Sequence, residues 1–590
     1  MEYESFDIAI IGAGVYGLAA AKAHLTLHPT STIIILESAH SIGGVWAQER
    51  LYPGLALNNL LGTYEFSDFP MDTETFGVRP GEHVPGEVVH RYLRAYAEDG
   101  GFYDRIRFGC KVEVVERVGD DDGWVIGFVV EGGDVSNNDK ETKHKIHAAK
   151  VIIATGTCSE PHMPTFRGSE SFDAPIFHSK HLAAEKDTIK NAKNVVILAG
   201  SKSGYDAAYM AATWGVEVDW VLRESGRGAI WISPKYVTPL KKWLEKLVNT
   251  RLLTWFSPCI WGDADGFGGI RRLLHGTAVG RWIVDKFWWV LGNDVLTLNR
   301  YDEHPETKKL EPWTDAFWAA TSFSILNYPT DFFDLVRQGK IRVHVSDISH
   351  LSAGTVHLTS GESIPTDALI SSTGWTSRPT FKFLPQGIDT QLGLSYDISA
   401  GETPDKLAQK ADAEILKRFP RLKNQPTVNN PYIKDKDDAI AGSGVTRSNT
   451  VPFRLYRHIV PPAFIHDRSI GFVGLLSNFS MLLTAQAQAL WLAAYFDGKL
   501  PLLEPSSPSF DDDIRWDAVL NSQFAKWRYP FGNPQSPDFV FDFVPYVDWL
   551  LGDLGLKVHR KKGRLAEWLE PYGPEDYKGL IEEWKESLQK

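Results

Sequence analysis

Cysteine is scarce in this sequence, long apolar runs are missing and positive charge is not in excess. Only Cys110, Cys158 and Cys259 occur in 590 residues, far apart and without a C-x-x-C pair. That spacing excludes a disulfide framework, a dithiol redox centre and a zinc knuckle, and fits a reducing compartment. No stretch reaches about 18 uninterrupted apolar residues, so no membrane-spanning helix is expected. The segment Met1 to Asp7 carries three acids and has neither the basic nor the apolar region of a signal peptide, so a cytoplasmic chain is expected. With 62 Lys and Arg against 74 Asp and Glu the net charge is -12. No surplus of cations is left to neutralise a phosphate polymer, which excludes nucleic acid and leaves small molecules as ligands. A Ser-His-Asp order, an H-E-x-x-H pair and a Walker loop are all missing, so hydrolysis, metal chemistry and phosphoryl transfer have no candidates.

What is present is a globular composition, 43% hydrophobic and 23% charged, in a chain long enough for three or four folded units or two large ones with insertions. The β-branched run Phe6 to Ile11 is followed by Gly12-Ala-Gly14-Val-Tyr-Gly17 and an alanine-rich segment to Leu27. Small residues there let the chain turn, let backbone N–H groups approach a pyrophosphate and let helix and strand pack closely. A second strand, Thr32 to Leu36, ends in Glu37, twenty residues past Gly17, where an acid can accept both hydroxyls of an adenosine ribose. The pattern returns in Asn194 to Leu198, Ala199-Gly-Ser201-Lys202-Ser203-Gly204, and Val216 to Leu222. This second strand ends in Arg223. With help from Lys202 or Arg227, an arginine there suits a 2′-phosphate and favours NADPH over NADH; a plain surface turn is the alternative. Two apolar strands ending in Thr-Gly turns, Val151 to Gly156 and Ala368 to Gly374, bracket the second unit.

The ordered set of motifs resembles the class B flavin monooxygenases, the group of flavin-containing and Baeyer–Villiger monooxygenases, over roughly residues 6 to 500. Besides the two fingerprints it rests on Ile42-Gly-Gly44-Val45-Trp46, on Asn58 with Asp68-Phe-Pro70 ten residues later, and on Phe177-His178-Ser179. The resemblance implies an α/β fold with two Rossmann-like domains. An FAD domain (1–160 and 376–500) would carry an inserted NADPH domain (190–375). It further implies that Gly12, Gly14, Gly17, Glu37, Gly44, Val45, Trp46, Asn58 and Asn59 line the FAD site, and that Ser201, Lys202, Ser203, Gly204 and Arg223 line the NADPH site. In this family reduced flavin and O₂ form a C4a-(hydro)peroxide that transfers one oxygen atom. The subfamily signatures are both altered: five residues separate Trp46 from Tyr52-Pro53 where the Baeyer–Villiger signature has four, Asn58 stands in the place of its Asp, and Ala174 and Leu182 depart from the shorter signature around His178.

Asn58 is the candidate for oxygen transfer, because an amide donates and accepts hydrogen bonds without adding charge. The alternative is an Asn58-Asn59 turn that fixes a loop. Trp46 offers an apolar face and one N–H, as a wall of the flavin site would. Between Ile230 and Thr321 lie nine of the twenty tryptophans, centred on an aromatic insertion at 231–320. Core packing, a substrate lid and a peripheral membrane contact are the three readings of it. After the Pro/Ser-rich break Pro501 to Pro508, residues 509–590 read as a helical C-terminal appendage (501–590 with the break), whose basic patch Lys557 to Arg564 is a solvated face. The expected function is oxygenation of a small lipophilic substrate by O₂, tailoring a polyketide-type metabolite by Baeyer–Villiger oxidation, hydroxylation or heteroatom oxidation. A non-oxygenating NADPH-dependent flavin reductase is the alternative.

Overall fold

The computed structural model describes residues 3–119, 123–130, 143–237, 242–319, 323–399, 405–426, 450–505 and 507–589. Met1 and Glu2, residues 238–241, 320 and 321 of the tryptophan-rich stretch, and Ser506 of the Pro/Ser break lie outside the described residues.

Ile8 to Ile11 are buried on both faces, as a β-branched run at the centre of a parallel sheet must be. The strand Glu4–Ile11 pairs in parallel with Ile33–Leu36 on one side and Lys143–Ile153 on the other. The full sheet runs Lys382–Leu384, Cys110–Arg117, Trp124–Val130, Lys143–Ile153, Glu4–Ile11, Ile33–Leu36, Ile106–Arg107. Beyond its antiparallel partner Trp124–Val130, Lys143–Ile153 also takes Ile470–Phe472 as a parallel neighbour. Residues far apart in sequence thus complete one sheet, covered by the helices Val15–Leu27 and Met481–Phe496, which pack on each other.

A second sheet is wholly parallel, in the order Ile176–His178, Ala368–Ser372, Asn194–Ala199, Glu217–Leu222, Ile341–Val345. The helix Lys202–Thr213 covers one face through Tyr205, Ala208 and Ala212. A three-stranded meander, Ile348–Ser352, Thr355–Leu358 and Ser363–Pro365, covers the other through Leu351, Val356 and Ile364. The carboxyl ends of all five strands emerge on one edge, where ligands bind in such sheets.

Helices Leu244–Val248, Arg251–Thr254, Gly268–Gly276 and Ala278–Asn299 build the insertion. Six of its nine tryptophans, at 231, 255, 261, 288, 313 and 318, are buried, and these serve packing. Trp261 stacks at 5.9 Å on Trp549 of the C-terminal helix Phe543–Asp553. The tail is therefore helical, and most of its apolar side chains enter the same core as the insertion and the first sheet's helices.

Candidate active site

The first glycine turn divides its labour. Gly12 adopts φ 112°, and a Cβ there would lie 2.5 Å from the Ala154 carbonyl oxygen; at Gly17 it would lie 2.0 Å from the Gly12 oxygen. These two glycines serve the fold. At Gly14 the nearest atom would be Gly44 Cα at 3.8 Å, so the space over this residue is kept open. Gly14 is also the N-cap of Val15–Leu27 and places no side chain over the helix's first N–H groups. An open backbone cradle at a helix N-terminus fits a pyrophosphate. Glu37 is buried, and its two oxygens accept from Ala13 N–H at 2.7 Å and Ala39 N–H at 2.8 Å. Burial pushes its carboxyl above the ordinary range, partly offset by those N–H groups. Oε1 also accepts from Ser38 Oγ at 3.3 Å, so it is Oε2 that keeps a lone pair for a further donor such as a ribose hydroxyl.

Gly44 sits at φ 63° against Gly14, Val45 is exposed, and Trp46 is buried with its Nε1–H donated to Tyr64 Oη at 3.1 Å. Asn58 and Asn59 lie on the strand Ala56–Leu60. Asn58 is half-buried, and its Oδ1 accepts from Ser324 Oγ at 3.1 Å. Asn59 is buried and donates to the Glu245 carboxylate and to the Phe479 carbonyl.

At the second turn a Cβ on Gly204 would meet Ala199 Cβ at 2.3 Å, so this glycine is required for helix-strand packing. Ser201 Oγ lies 3.0 Å from Ser372 Oγ, and Ser203 is in the helix's first turn. Lys202 is ion-paired with Asp206 one turn on, with its ammonium over the Tyr328 ring. Arg223 is exposed at the end of Glu217–Leu222. The neighbouring Arg227 stacks on Phe531, and its guanidinium is pushed below the ordinary range by burial and by the charge of Arg223. Two cations close enough for one to lower the other's pKa suit a phosphate.

The two units meet at a polar junction. Tyr52 of the first unit donates to Asp206 at 3.0 Å, and Tyr328 donates to the same carboxylate at 2.9 Å. Asn327 Nδ2 donates to the Ala56 and Leu57 carbonyls at 2.9 and 3.2 Å. Ser324–Ile325 also pairs with Ile232–Ser233, so Asn58 stands on a seam between the units. Asp206, Ser324, Asn327, Tyr328 and Glu245 carry no local motif, and sequence reading did not find them. A cleft of about 620 Å³ among Trp231, Trp288, Trp289, Trp313 and Phe317 contains none of the predicted site residues.

A strand–glycine turn–helix arrangement in each of two units that share a seam fits a two-site flavin-and-nicotinamide class of oxidoreductase. The family model described as pyridine nucleotide-disulphide oxidoreductase matches residues 9–254, although all three cysteines are free and no dithiol exists. The chain is 32% identical to the FAD-dependent monooxygenase resA of Aspergillus sclerotiorum over 606 residues, covering 99% of each chain. It is 31% identical to the FAD-dependent monooxygenase DEP4 of Alternaria brassicicola, covering 99% of this chain and 95% of the relative. Among solved structures it is similar to the closed form of cyclohexanone monooxygenase, with TM-score 0.59, 14% identity and coverage of 94% and 97% of the two chains. It is also similar to oxidised steroid monooxygenase bound to NADP, with TM-score 0.57, 15% identity and coverage of 94% and 98%. The chain belongs to the FAD-dependent monooxygenases.

Proposed function

We propose that the enzyme uses NADPH and O₂ to insert one oxygen atom into a small lipophilic substrate, tailoring a polyketide-type metabolite by Baeyer–Villiger oxidation, hydroxylation or heteroatom oxidation. The observation that carries this reading is the seam, where Asn58 of the first unit faces Ser324 of the segment paired with the second. The NADP complex of the structurally similar steroid monooxygenase supports the choice of coenzyme, as does the Arg223 and Arg227 pair. Membership of a monooxygenase family argues against the flavin reductase alternative.

The chemistry that bound FAD supplies is acceptance of the nicotinamide's hydride and activation of O₂. The protein's part is placement. The Gly14 cradle holds the pyrophosphate, and Glu37 accepts from the ribose. Arg223 and Arg227 neutralise the 2′-phosphate, while Ser201, Lys202, Ser203 and Gly204 form the second turn. Trp46 walls the site, and the Asn58 amide orients the nicotinamide side of the seam and excludes water. Substrate-dependent oxidation of NADPH, faster than of NADH, should place label from ¹⁸O₂ in the product. Asn58→Leu keeps the volume but removes donor and acceptor, so NADPH should still be consumed while hydrogen peroxide replaces product. Full coupling in that variant would leave Asn58 a structural residue of the strand Ala56–Leu60.

No helix among the described residues is long and apolar enough to cross a membrane, and we propose a cytoplasmic enzyme with a peripheral membrane face. Val279, Trp282, Ile283, Trp289 and Val290 are exposed along one side of Ala278–Asn299, with the exposed Lys286 between them over the Trp289 ring. An apolar stripe with interfacial tryptophans and a central cation matches an anionic bilayer surface. The protein should float with vesicles containing phosphatidylserine, and a Trp282→Ser, Trp289→Ser double variant should not. Equal flotation of both, or none of either, would remove this face from the proposal.

A further inference from the structure

We propose that Glu245 is a positioning residue for oxygen transfer, reaching from the aromatic insertion into the first dinucleotide unit to fix the Asn58–Asn59 segment. The inference rests on the reading of Asn58 given above. Glu245 lies on the short helix Leu244–Val248 and is fully buried. One carboxylate oxygen accepts from the Asn59 amide and the other from the Leu60 backbone N–H at 3.4 Å. The second Asn59 donor goes to the Phe479 carbonyl at 3.1 Å, just before the helix Met481–Phe496. Asn59 is thus held from two sides by segments 186 and 420 positions away. Successive side chains of a strand point to opposite faces, so Asn59 is the inward handle and Asn58, facing Ser324, the outward group. What holds Asn59 sets the position of Asn58.

Glu245 differs from the buried acids around Arg251. Asp265 is ion-paired with Arg251 and Arg271, and Asp548 and Glu567 with Arg251, whereas Glu245, like the fully buried Asp542, is in no ion pair among the described residues. The Lys246 ammonium is turned over the Trp243 ring at 4.9 Å. His83, opposite Leu60 in the strand pair, presents two buried ring nitrogens without partners, and burial with the nearby Lys235 holds its imidazole below the ordinary range. Thr63 completes the ring of groups facing the carboxyl. Burial pushes Glu245 up to about 7, against the pull of Thr63, Asn59, the Leu60 N–H and the more distant Lys246 charge. The ionised carboxylate accepts with both oxygens. The neutral acid gives up acceptor capacity on its hydroxyl oxygen, so the segment is held best above neutrality.

Glu245→Gln and Asn59→Ala test this through coupling, measured as product per NADPH, and through Tm, each at pH 6 and pH 8. Wild-type coupling should rise across that interval. Glu245→Gln, neutral at every pH, should match wild type at pH 6 and fall several-fold below it at pH 8. Asn59→Ala, which removes the handle itself, should be uncoupled at both. The Tm readout does not depend on turnover. An acid whose folded pKa is raised stabilises the fold at low pH and loses that contribution as pH climbs from the ordinary carboxylate range through the folded value. The Tm of Glu245→Gln relative to wild type should therefore rise between pH 6 and pH 8. Coupling in Glu245→Gln that follows wild type at both pH values would overturn the proposal. If Asn58→Leu stays coupled while Glu245→Gln does not, the role of Asn58 fails and the positioning of this segment stands; the reverse pattern separates them the other way.

Discussion

A Gly14→Glu variant is expected to purify as a folded, colourless protein with no bound FAD. Gly14 has extended backbone angles, φ -79° and ψ -178°, which any L-residue adopts, and a Cβ there would touch nothing closer than 3.8 Å. The added side chain would therefore enter the open cradle at the helix N-terminus, where its carboxylate would occupy and repel a pyrophosphate. Gly17→Val should behave differently. Its Cβ would be driven to 2.0 Å from the Gly12 carbonyl oxygen, a contact that only separation of helix and strand relieves, so loss of soluble protein is expected. Flavin absorbance per chain and the circular dichroism melt distinguish the two. A yellow Gly14→Glu protein with full FAD content would remove the pyrophosphate from this turn.

The contrast also shows what was legible in the sequence. Gly17 and Gly204 answer steric demands made by atoms in their own turn, Gly12 and Ala199 respectively, so their spacing reads directly as strand, turn and helix, whereas Gly12 answers the Ala154 carbonyl at the end of the neighbouring strand. The seam does not read that way. Asp206 looks like an ordinary helix acid until Tyr52 and Tyr328 arrive from 154 positions before it and 122 after it. Glu245 meets Asn59 across 186 positions. No local periodicity records such pairings, because they exist only once both units are folded against each other. The C-terminal basic patch shows the same limit. Lys557, Lys562 and Arg564 are exposed as a solvated face should be, but Arg560 is paired with Glu583 and Lys561 with Asp576, both largely buried. Charge alone could not separate the two groups. Tryptophan count likewise identified an aromatic insertion, but the burial of Trp255, Trp261 and Trp288 depended on C-terminal rings that pack against them.

Arg251→Met should be the most destabilising single substitution in the insertion. The guanidinium is fully buried and bonded to Asp548, to Glu567 Oε1 at 2.8 Å and to Tyr572 Oη at 3.0 Å, with Asp265 at 3.5 Å. One side chain thereby joins the insertion to two separate C-terminal segments. Removing one partner of a buried ion pair strands the others and costs about 3–5 kcal/mol, a large part of the roughly 5–15 kcal/mol that holds a typical domain folded. Burial already pushes Asp548 up to about 6 even with Arg251 beside it; without the cation its carboxyl must move higher still. The unfolded carboxyl keeps its ordinary value, so the added destabilisation is present where the unfolded chain would ionise and fades as pH falls. The Tm deficit of Arg251→Met against wild type should therefore be larger at pH 8 than at pH 5. Adding Asp548→Leu, which replaces the stranded acid by an apolar side chain, should recover part of it. A variant melting with wild type at both pH values would show that the cluster does not hold the insertion to the tail. A deficit that shrinks toward low pH would show that the stranded Asp548 carboxylate, and not lost packing alone, is what loosens the insertion from the tail.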